Sequence, residues 1–289
     1  KEYIVAGLLY LSNLYAFDLR GKTIGIVGVG NVGKKIVQVA EALNMQVIKS
    51  DPPLARFTGD LSFLPFDALA DCDIVSLHVP LTQTGTDPTF HLFGDEQFRK
   101  LKPGTIFVNT SRGGVVKTDA LQNAIRDKRI SYSIIDVWEN EPFIDQELLS
   151  AVTLRTAHIA GHSLEGKING VKIIREKICK HFSISLPSGP DLTVLLQDPV
   201  EVNVPSVGLR TNEEFLHRIV SQCYDIALDD AHLRGLLHLP ESQRNGYFQK
   251  LRTNYRIRRE FSNAFVNLPP QYLPMRSQLT SLGFGFGNP

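Results

Sequence analysis

The chain has 289 residues, 43% apolar and 21% charged, and its 31 basic and 30 acidic side chains leave a net charge of +1. That length suits about two globular domains, and the balanced charge gives no electrostatic reason to expect a nucleic-acid partner. Three cysteines, Cys72, Cys179 and Cys223, lie far apart with no CxxC pair, which argues against a disulfide framework or a metal site and suits a reducing cytoplasm.

The first apolar run, Ile4 to Leu11, follows Lys1-Glu2-Tyr3. It is too short to span a bilayer and carries no cleavage-site pattern, so neither a membrane anchor nor a signal peptide is expected. Ile4, Leu8, Leu11 and Tyr15 share one helical face, so residues 1–18 read as a helix. The chain opens inside that helix without an initiator Met and reads as a fragment.

The next stretch organises the whole chain. Thr23 to Val27 is a β-branched run, Gly28-Val29-Gly30-Asn31-Val32-Gly33 follows, and Val32, Ile36, Val39, Ala40 and Leu43 then recur at helical spacing. Strand, glycine turn and helix in this order are the opening of a dinucleotide-binding βαβ unit. Gly28 permits the turn, Gly30 lets backbone approach a pyrophosphate, and Gly33 lets helix and strand pack closely. The helix N-terminus, at Asn31 and Val32, offers amide donors to the phosphates. Gln46 to Ser50 reads as the second strand, and Asp51 at its end is placed to accept both hydroxyls of an adenosine ribose and to repel a 2′-phosphate, so NAD is expected over NADP. The alternative for Asp51 is a cap of the turn Asp51-Pro52-Pro53.

Residues 54–65 contain Gly59 and Pro65 and read as a loop, with Phe66 to Ala70 a helical turn. Strands are expected at 73–78, 105–109, 132–137 and 153–156, and helices at 96–101 and 118–127, the latter with Thr118 as its cap. Apolar runs without alternation suit a parallel sheet covered on both faces. The fold class is therefore α/β, a doubly wound Rossmann-type parallel sheet with ligands at the carboxyl ends of its strands. From Leu164 to Phe182 apolar residues recur at 164, 168, 171, 174, 178 and 182, a long amphipathic helix. Pro187-Ser188-Gly189-Pro190 reads as a linker, helices are expected near 213–227, 229–236 and 242–254, and the tail 283–289 reads as loose.

Three candidates for chemistry follow strand ends on the second half of the sheet. Arg112 comes directly after its strand, where a guanidinium could grip a carboxylate with two parallel bonds. Glu141 lies in Asp136-Val137-Trp138-Glu139-Asn140-Glu141-Pro142, and His158 follows the last strand. An imidazole beside a carboxylate has its charged form stabilised, which suits an acid/base. Singly, each has a bland reading: a solvated Arg, a turn acid, a structural His. The inference rests on all three meeting in one crevice below a nucleotide fold.

The run Asn109-Thr110-Ser111-Arg112-Gly113-Gly114-Val115-Val116, with Asp136 to Pro142 and His158-Ile159-Ala160-Gly161, resembles the D-isomer-specific 2-hydroxyacid dehydrogenase family across residues 1–182. Ser50-Asp51-Pro52-Pro53, Gly161-His162-Ser163-Leu164-Glu165-Gly166-Lys167 and the extra C-terminal segment resemble the members that act on a phosphorylated hydroxy acid. The resemblance implies NAD as cofactor, Arg112 on the substrate carboxylate, and His158 supported by Glu141 taking the C2 hydroxyl proton. It further implies Asp136 on the nicotinamide carboxamide, backbone of His78, Val79 and Gly161 lining the cofactor, and His162 touching substrate where relatives carry Tyr. Lys117 stands where many relatives carry Asp, a local change of capping. Trp138, the single tryptophan, is placed to report bound NADH.

The implied organisation is a connecting helix from a substrate domain (1–18), a dinucleotide-binding domain (19–163), a return helix (164–186) and a C-terminal α+β domain (187–289) that forms a homodimer. Most of the substrate domain is truncated in this reading, and residues 1–289 alone are expected to be poorly active. Phosphate candidates are Lys167 and the cluster Arg256-Ile257-Arg258-Arg259, for which a solvated basic face is the competing reading. Two functional alternatives stay open: a different D-2-hydroxy acid such as glycerate or its 3-phosphate, and a non-catalytic NAD(H)-sensing module.

Overall fold

The computed structural model describes residues 1–185, 199–204, 209 and 211–287. Short apolar runs form a six-stranded parallel sheet, β1 (Thr23–Val27), β2 (Gln46–Ser50), β3 (Ile74–Leu77), β4 (Thr105–Asn109), β5 (Ile130–Ile135) and β6 (Leu154–Arg155). Its order is β2-β1-β3-β4-β5-β6. All of β3 and β4 is buried, as expected of central strands covered on both faces. The chain moves from β1 outward to β2 and then back past β1 to β3. The reversal opens a crevice at the carboxyl ends of β1 and β3, where doubly wound folds bind ligands.

Helices cover both faces: α1 (Glu2–Tyr15), α2 (Gly33–Ala42), α3 (Pro52–Thr58), α4 (Asp95–Lys100), α5 (Thr118–Arg126) and α6 (Gln146–Ala151); α7 (Leu164–His181) follows the last strand of the sheet. Beyond them come β7 (Val200–Asn203), α8 (Asn212–Cys223), α9 (Ile226–Arg234), α10 (Glu241–Thr253), β8 (Ala264–Asn267), α11 (Arg276–Leu282) and β9 (Gly285–Phe286). Strands β7, β8 and β9 make a small parallel sheet.

Several local expectations need correction. Residues 54–65 are not all loop, because α3 occupies Pro52–Thr58: the Asp51 side chain accepts from Leu54 N, and a proline in the first turn suits the start of a helix. Thr118 is not the cap of α5; Lys117 holds that position. The backbone and hydroxyl of Thr118 instead donate to Glu139 Oε2, at 3.2 and 2.7 Å, so the helix is capped from another loop. The tail is not loose as far as Phe286, since β9 pairs with β8 and Phe284 stacks on Phe261 at 4.5 Å. The linker at 187–190 lies outside the described residues, as do 288–289.

The C-terminal residues share buried clusters with the rest of the chain. Phe215, Leu216, Ile219 and Val220 of α8 are buried in one cluster with Tyr3, Ile4 and Leu8 of α1, and Leu233, Leu236 and Phe248 join the cluster on the other face of the sheet. Polar ties add to this continuity. Buried Arg155 at the end of β6 pairs with Asp230 of α9 at 3.0 Å and donates to the Leu149 and Val152 carbonyls around the end of α6. By contrast, the amphipathic face of α7 is largely uncovered: Val171, Ile174, Ile178 and Phe182 are exposed, and of its apolar residues only Ile168 and Cys179 are buried.

Candidate active site

The glycine turn is built on close backbone approaches. Gly28 has φ +84, and a Cβ there would stand 2.7 Å from the His78 carbonyl oxygen. That contact is the seam between β1 and β3. At Gly33 a Cβ would meet the Gly28 carbonyl at 2.0 Å, so only glycine lets α2 start so close to the turn. Gly30 differs: nothing lies within 4 Å of its built Cβ. Two glycines are thus required by the protein's own backbone, and the third faces open space at the turn into α2. This cradle fits a dinucleotide pyrophosphate.

Asn31 is exposed and so is Val32, which leaves the apolar row of α2 to Ile36, Val39, Ala40 and Leu43. Asp51 carries out the capping alternative. Its Oδ1 accepts from Leu54 N at 3.0 Å, and its Oδ2 accepts from Val29 N at 2.7 Å, tying the end of β2 to the glycine turn. His78 sits across the seam with Nε2 at 2.9 Å from Ser76 Oγ and Nδ1 unpaired, and burial pushes its imidazole down to about 3. Val79 lines the same seam beside Gly28.

On the other half of the sheet, a chain of contacts links three adjacent strand ends. Asp136 N donates to Asn109 O at 3.0 Å, joining the ends of β5 and β4, and His158 N donates to Asp136 O at 2.7 Å, joining β6 to β5. Arg112 stands just past β4, exposed, with Nη1 on the Ser111 carbonyl at 2.6 Å and no carboxylate partner among the described residues. The next residue, Gly113, lies so close to Trp138 that a Cβ would come within 1.9 Å of its carbonyl oxygen. Trp138 N donates to Glu141 Oε1 at 2.7 Å, and Glu141 Oε2 is 2.8 Å from His158 Nδ1. An ionised carboxylate only accepts, so Nδ1 carries the proton and Nε2, across the ring, keeps the basic lone pair.

His158 holds φ +54, a left-handed conformation that costs a side-chain-bearing residue of order 1 kcal/mol and persists only when its surroundings impose it. Asp136 does much of the imposing. It is 1% exposed, and its carboxylate accepts from Thr156 Oγ1 (2.6 Å), Ile159 N (2.7 Å) and Ala160 N (2.9 Å). Burial raises its carboxyl above the usual range, and these three bonds oppose the shift. Three of its lone pairs are therefore committed to the turn after His158. Gly161, in the same turn, is exposed with open space at its Cα. His162 packs edge-on against Tyr255 at 5.7 Å. Burial, then the positive charges of Lys167, Arg252 and Arg258, push its imidazole down to about 4, so it is neutral at pH 7.

The basic cluster 256–259 is not a solvated face. Arg256 pairs with Asp229, Arg259 Nε pairs with Glu165 Oε1 at 2.6 Å, and both Arg258 and Arg259 are buried. Missed from sequence is a second imidazole–carboxylate pair, His91 Nε2 to Glu139 Oε1 at 2.6 Å. Burial works against the charge on Glu139, but the bonds from His91 and Thr118 hold its carboxyl below the usual range. The signal was faint: a lone His in a polar loop with its partner in another element.

Residues 9–160 match the family model for the D-isomer specific 2-hydroxyacid dehydrogenase, NAD binding domain, and residues 196–283 match one described as a domain of unknown function. The chain is 39% identical over 273 residues to an erythronate-4-phosphate dehydrogenase of Salinibacter ruber, covering 92% of this chain and 69% of that protein. It is 36% identical over 286 residues to the protein of the same name in Azotobacter vinelandii, covering 98% of this chain and 74% of that one. Among solved structures, an NAD-complexed D-isomer specific 2-hydroxyacid dehydrogenase from Lactobacillus delbrueckii superposes with TM-score 0.50 at 27% identity, over 60% of this chain and 56% of the other. A D-lactate dehydrogenase with NAD+ from Lactobacillus jensenii shares the fold with TM-score 0.52 at 23% identity, over 64% and 68%. Nucleotide cradle, strand-end residues and sequence relationship lead to one assignment: the chain belongs to the D-isomer specific 2-hydroxyacid dehydrogenases, a family of NAD-dependent enzymes.

Proposed function

We propose that the protein oxidises 4-phospho-D-erythronate to its 2-oxo acid in pyridoxal phosphate biosynthesis, with His158 as the acid/base. The observation that carries this reading is the 2.8 Å pair of His158 and Glu141, one strand end away from a guanidinium with no carboxylate partner among the described residues. Arg112 takes the substrate carboxylate with its fork of donors. His158 Nε2 receives the C2 hydroxyl proton, and Glu141 stabilises the imidazolium that results. NAD, when bound, supplies the acceptor for the hydride that leaves C2 as the C–O bond becomes a carbonyl. Gly28, Gly30, Asn31, Val32 and Gly33 hold its pyrophosphate, Asp51 its ribose, and His78, Val79, Asp136 and Gly161 line its nicotinamide end.

A phosphorylated substrate is favoured by the charge around His162. Lys167, Arg252 and Arg258 all bear on that neutral imidazole. Lys167 and Arg252 make no ion pair among the described residues, which leaves them for an anion. Residues 19–163 form the dinucleotide-binding unit in this reading, and the protein dimerises through its C-terminal segment.

The experiment compares NADH formation from 4-phosphoerythronate, 3-phosphoglycerate and glycerate by protein expressed from the complete reading frame. The phosphorylated four-carbon acid should turn over best. Arg112→Lys should lower kcat/KM by about 100-fold or more while NADH still binds, because an ammonium lacks the planar fork. Best turnover on glycerate would overturn the substrate, and NADH binding without turnover of any acid would favour the sensing module.

A further inference from the structure

The turn that carries His158 is gripped from two sides, and only one grip belongs to the dinucleotide-binding unit. On one side Asp136 accepts the amides of Ile159 and Ala160. On the other, Arg258 Nη2 donates to the carbonyls of the same two residues, Ile159 O at 3.2 Å and Ala160 O at 2.6 Å. The peptide unit that joins Ile159 to Ala160 thus lies between a buried carboxylate at its N–H and a buried guanidinium at its C=O, with the units on either side each held by one of the two. This is the polarity in which peptide dipoles are stabilised by both charges. Arg258 is itself fixed: it is 4% exposed, its guanidinium lies over the Tyr224 ring at 4.4 Å, and its backbone carbonyl accepts from Leu164 N at 2.9 Å.

His158 is the residue immediately before these two peptides and holds a left-handed backbone. Its direction toward Glu141 therefore depends on the 159–160 peptides staying where they are. We propose that Arg258 is a positioning residue for His158, so that the C-terminal segment, whose family model carries no assigned function, completes the acid/base site of the dinucleotide-binding unit. The proposal rests on the reading of His158 as the acid/base. It reassigns Arg258 from phosphate binding to the geometry of the site, and it makes the segment a working part of the active centre.

A neighbouring contact supplies the control. Glu165 of α7 accepts from Arg259 Nε, Asn263 Nδ2 and Glu260 N at 2.6–2.9 Å, fastening the same segment without touching the 158–160 turn. Arg258→Lys, Arg258→Gln, Glu165→Gln and His158→Gln are compared in protein from the complete reading frame, by kcat, KM, NADH dissociation constant and urea midpoint. Arg258→Gln should lose about 10- to 100-fold in kcat, the scale expected when a reacting group is displaced by about 1 Å, with NADH affinity within about twofold. Arg258→Lys, which retains the charge and a donor, should recover part of that loss. Glu165→Gln should lower the urea midpoint and leave kcat near the parent value. If Arg258→Gln and Glu165→Gln both lose stability and both keep kcat, Arg258 is only a fastener and the proposal fails. If His158→Gln keeps its kcat, the acid/base reading fails and takes the proposal with it. Should the Arg258 variants not fold, Tyr224→Leu removes the ring beneath the guanidinium. A lowered kcat at native NADH affinity would support the proposal, and a native kcat would overturn it.

Discussion

At the scale of single residues, the site separates its histidines by environment. His158 is partly exposed and faces a carboxylate, whereas His78 and His162 have been forced toward the neutral form, down to about 3 and about 4. This difference has a measurable consequence for folding. An unfolded histidine titrates near pH 6.5, so between there and pH 4 the unfolded chain binds protons on these two imidazoles that the folded chain refuses. Stability should therefore be fully present above about pH 6.5 and should fall as the pH drops toward 4. The slope is at most about 1.4 kcal/mol per pH unit for each imidazole and in practice less, because both side chains keep partial contact with solvent. Urea denaturation at pH 7 and pH 5 measures the effect, and His78→Gln, which retains a hydrogen-bonding group near Ser76, should reduce the difference. An unchanged midpoint between the two pH values would show that His78 charges freely in the folded protein.

At the scale of elements, the glycine turn yields a sharper test because its glycines serve different ends. Gly33→Ala drives a methyl against the Gly28 carbonyl, so the turn or α2 must shift. It should lower the melting temperature and also weaken NADH binding by about tenfold or more. Gly30→Ala meets no protein atom and should keep the melting temperature while weakening NADH binding. Quenching of Trp138 reads the binding in both variants; it is buried beside the Glu141 loop, with its indole N–H on Thr156 O. The same elements show what a sequence displays. Strands β1, β3 and β4 are short, mostly apolar runs without alternation, and Arg112, Glu141 and His158 stood out because they follow strand ends. Helix α3 was hidden because Gly59 and Pro65 drew attention from Asp51-Pro52-Pro53, whose cap and prolines start a helix. Arg258 was visible as part of a basic run, but its carbonyl partners lie 98 and 99 positions away, and no local pattern encodes such a contact.

At the scale of the whole molecule, the C-terminal segment and the sheet share their buried clusters, while α7 projects with its apolar stripe uncovered. Helical periodicity identified that stripe correctly but could not say what would cover it, because a 3.6-residue period reports a face and not its neighbour. Val171, Ile174, Ile178 and Phe182 are 49–65% exposed, an unusual concentration of large apolar side chains on one helix. Replacing two of them, Ile174→Glu with Ile178→Glu, removes apolar surface from water at little cost to the fold, because neither side chain is buried. The double variant should therefore keep the parent's melting temperature, bind less of an environment-sensitive dye such as ANS, and remain soluble at higher concentration. Sedimentation separates this surface from the proposed dimer contact: if dimerisation runs through the C-terminal segment, the sedimenting mass should not change. A variant that sediments as half the parent mass would move the contact to α7, where a stripe of this width would pair along its length with the same stripe of a second copy.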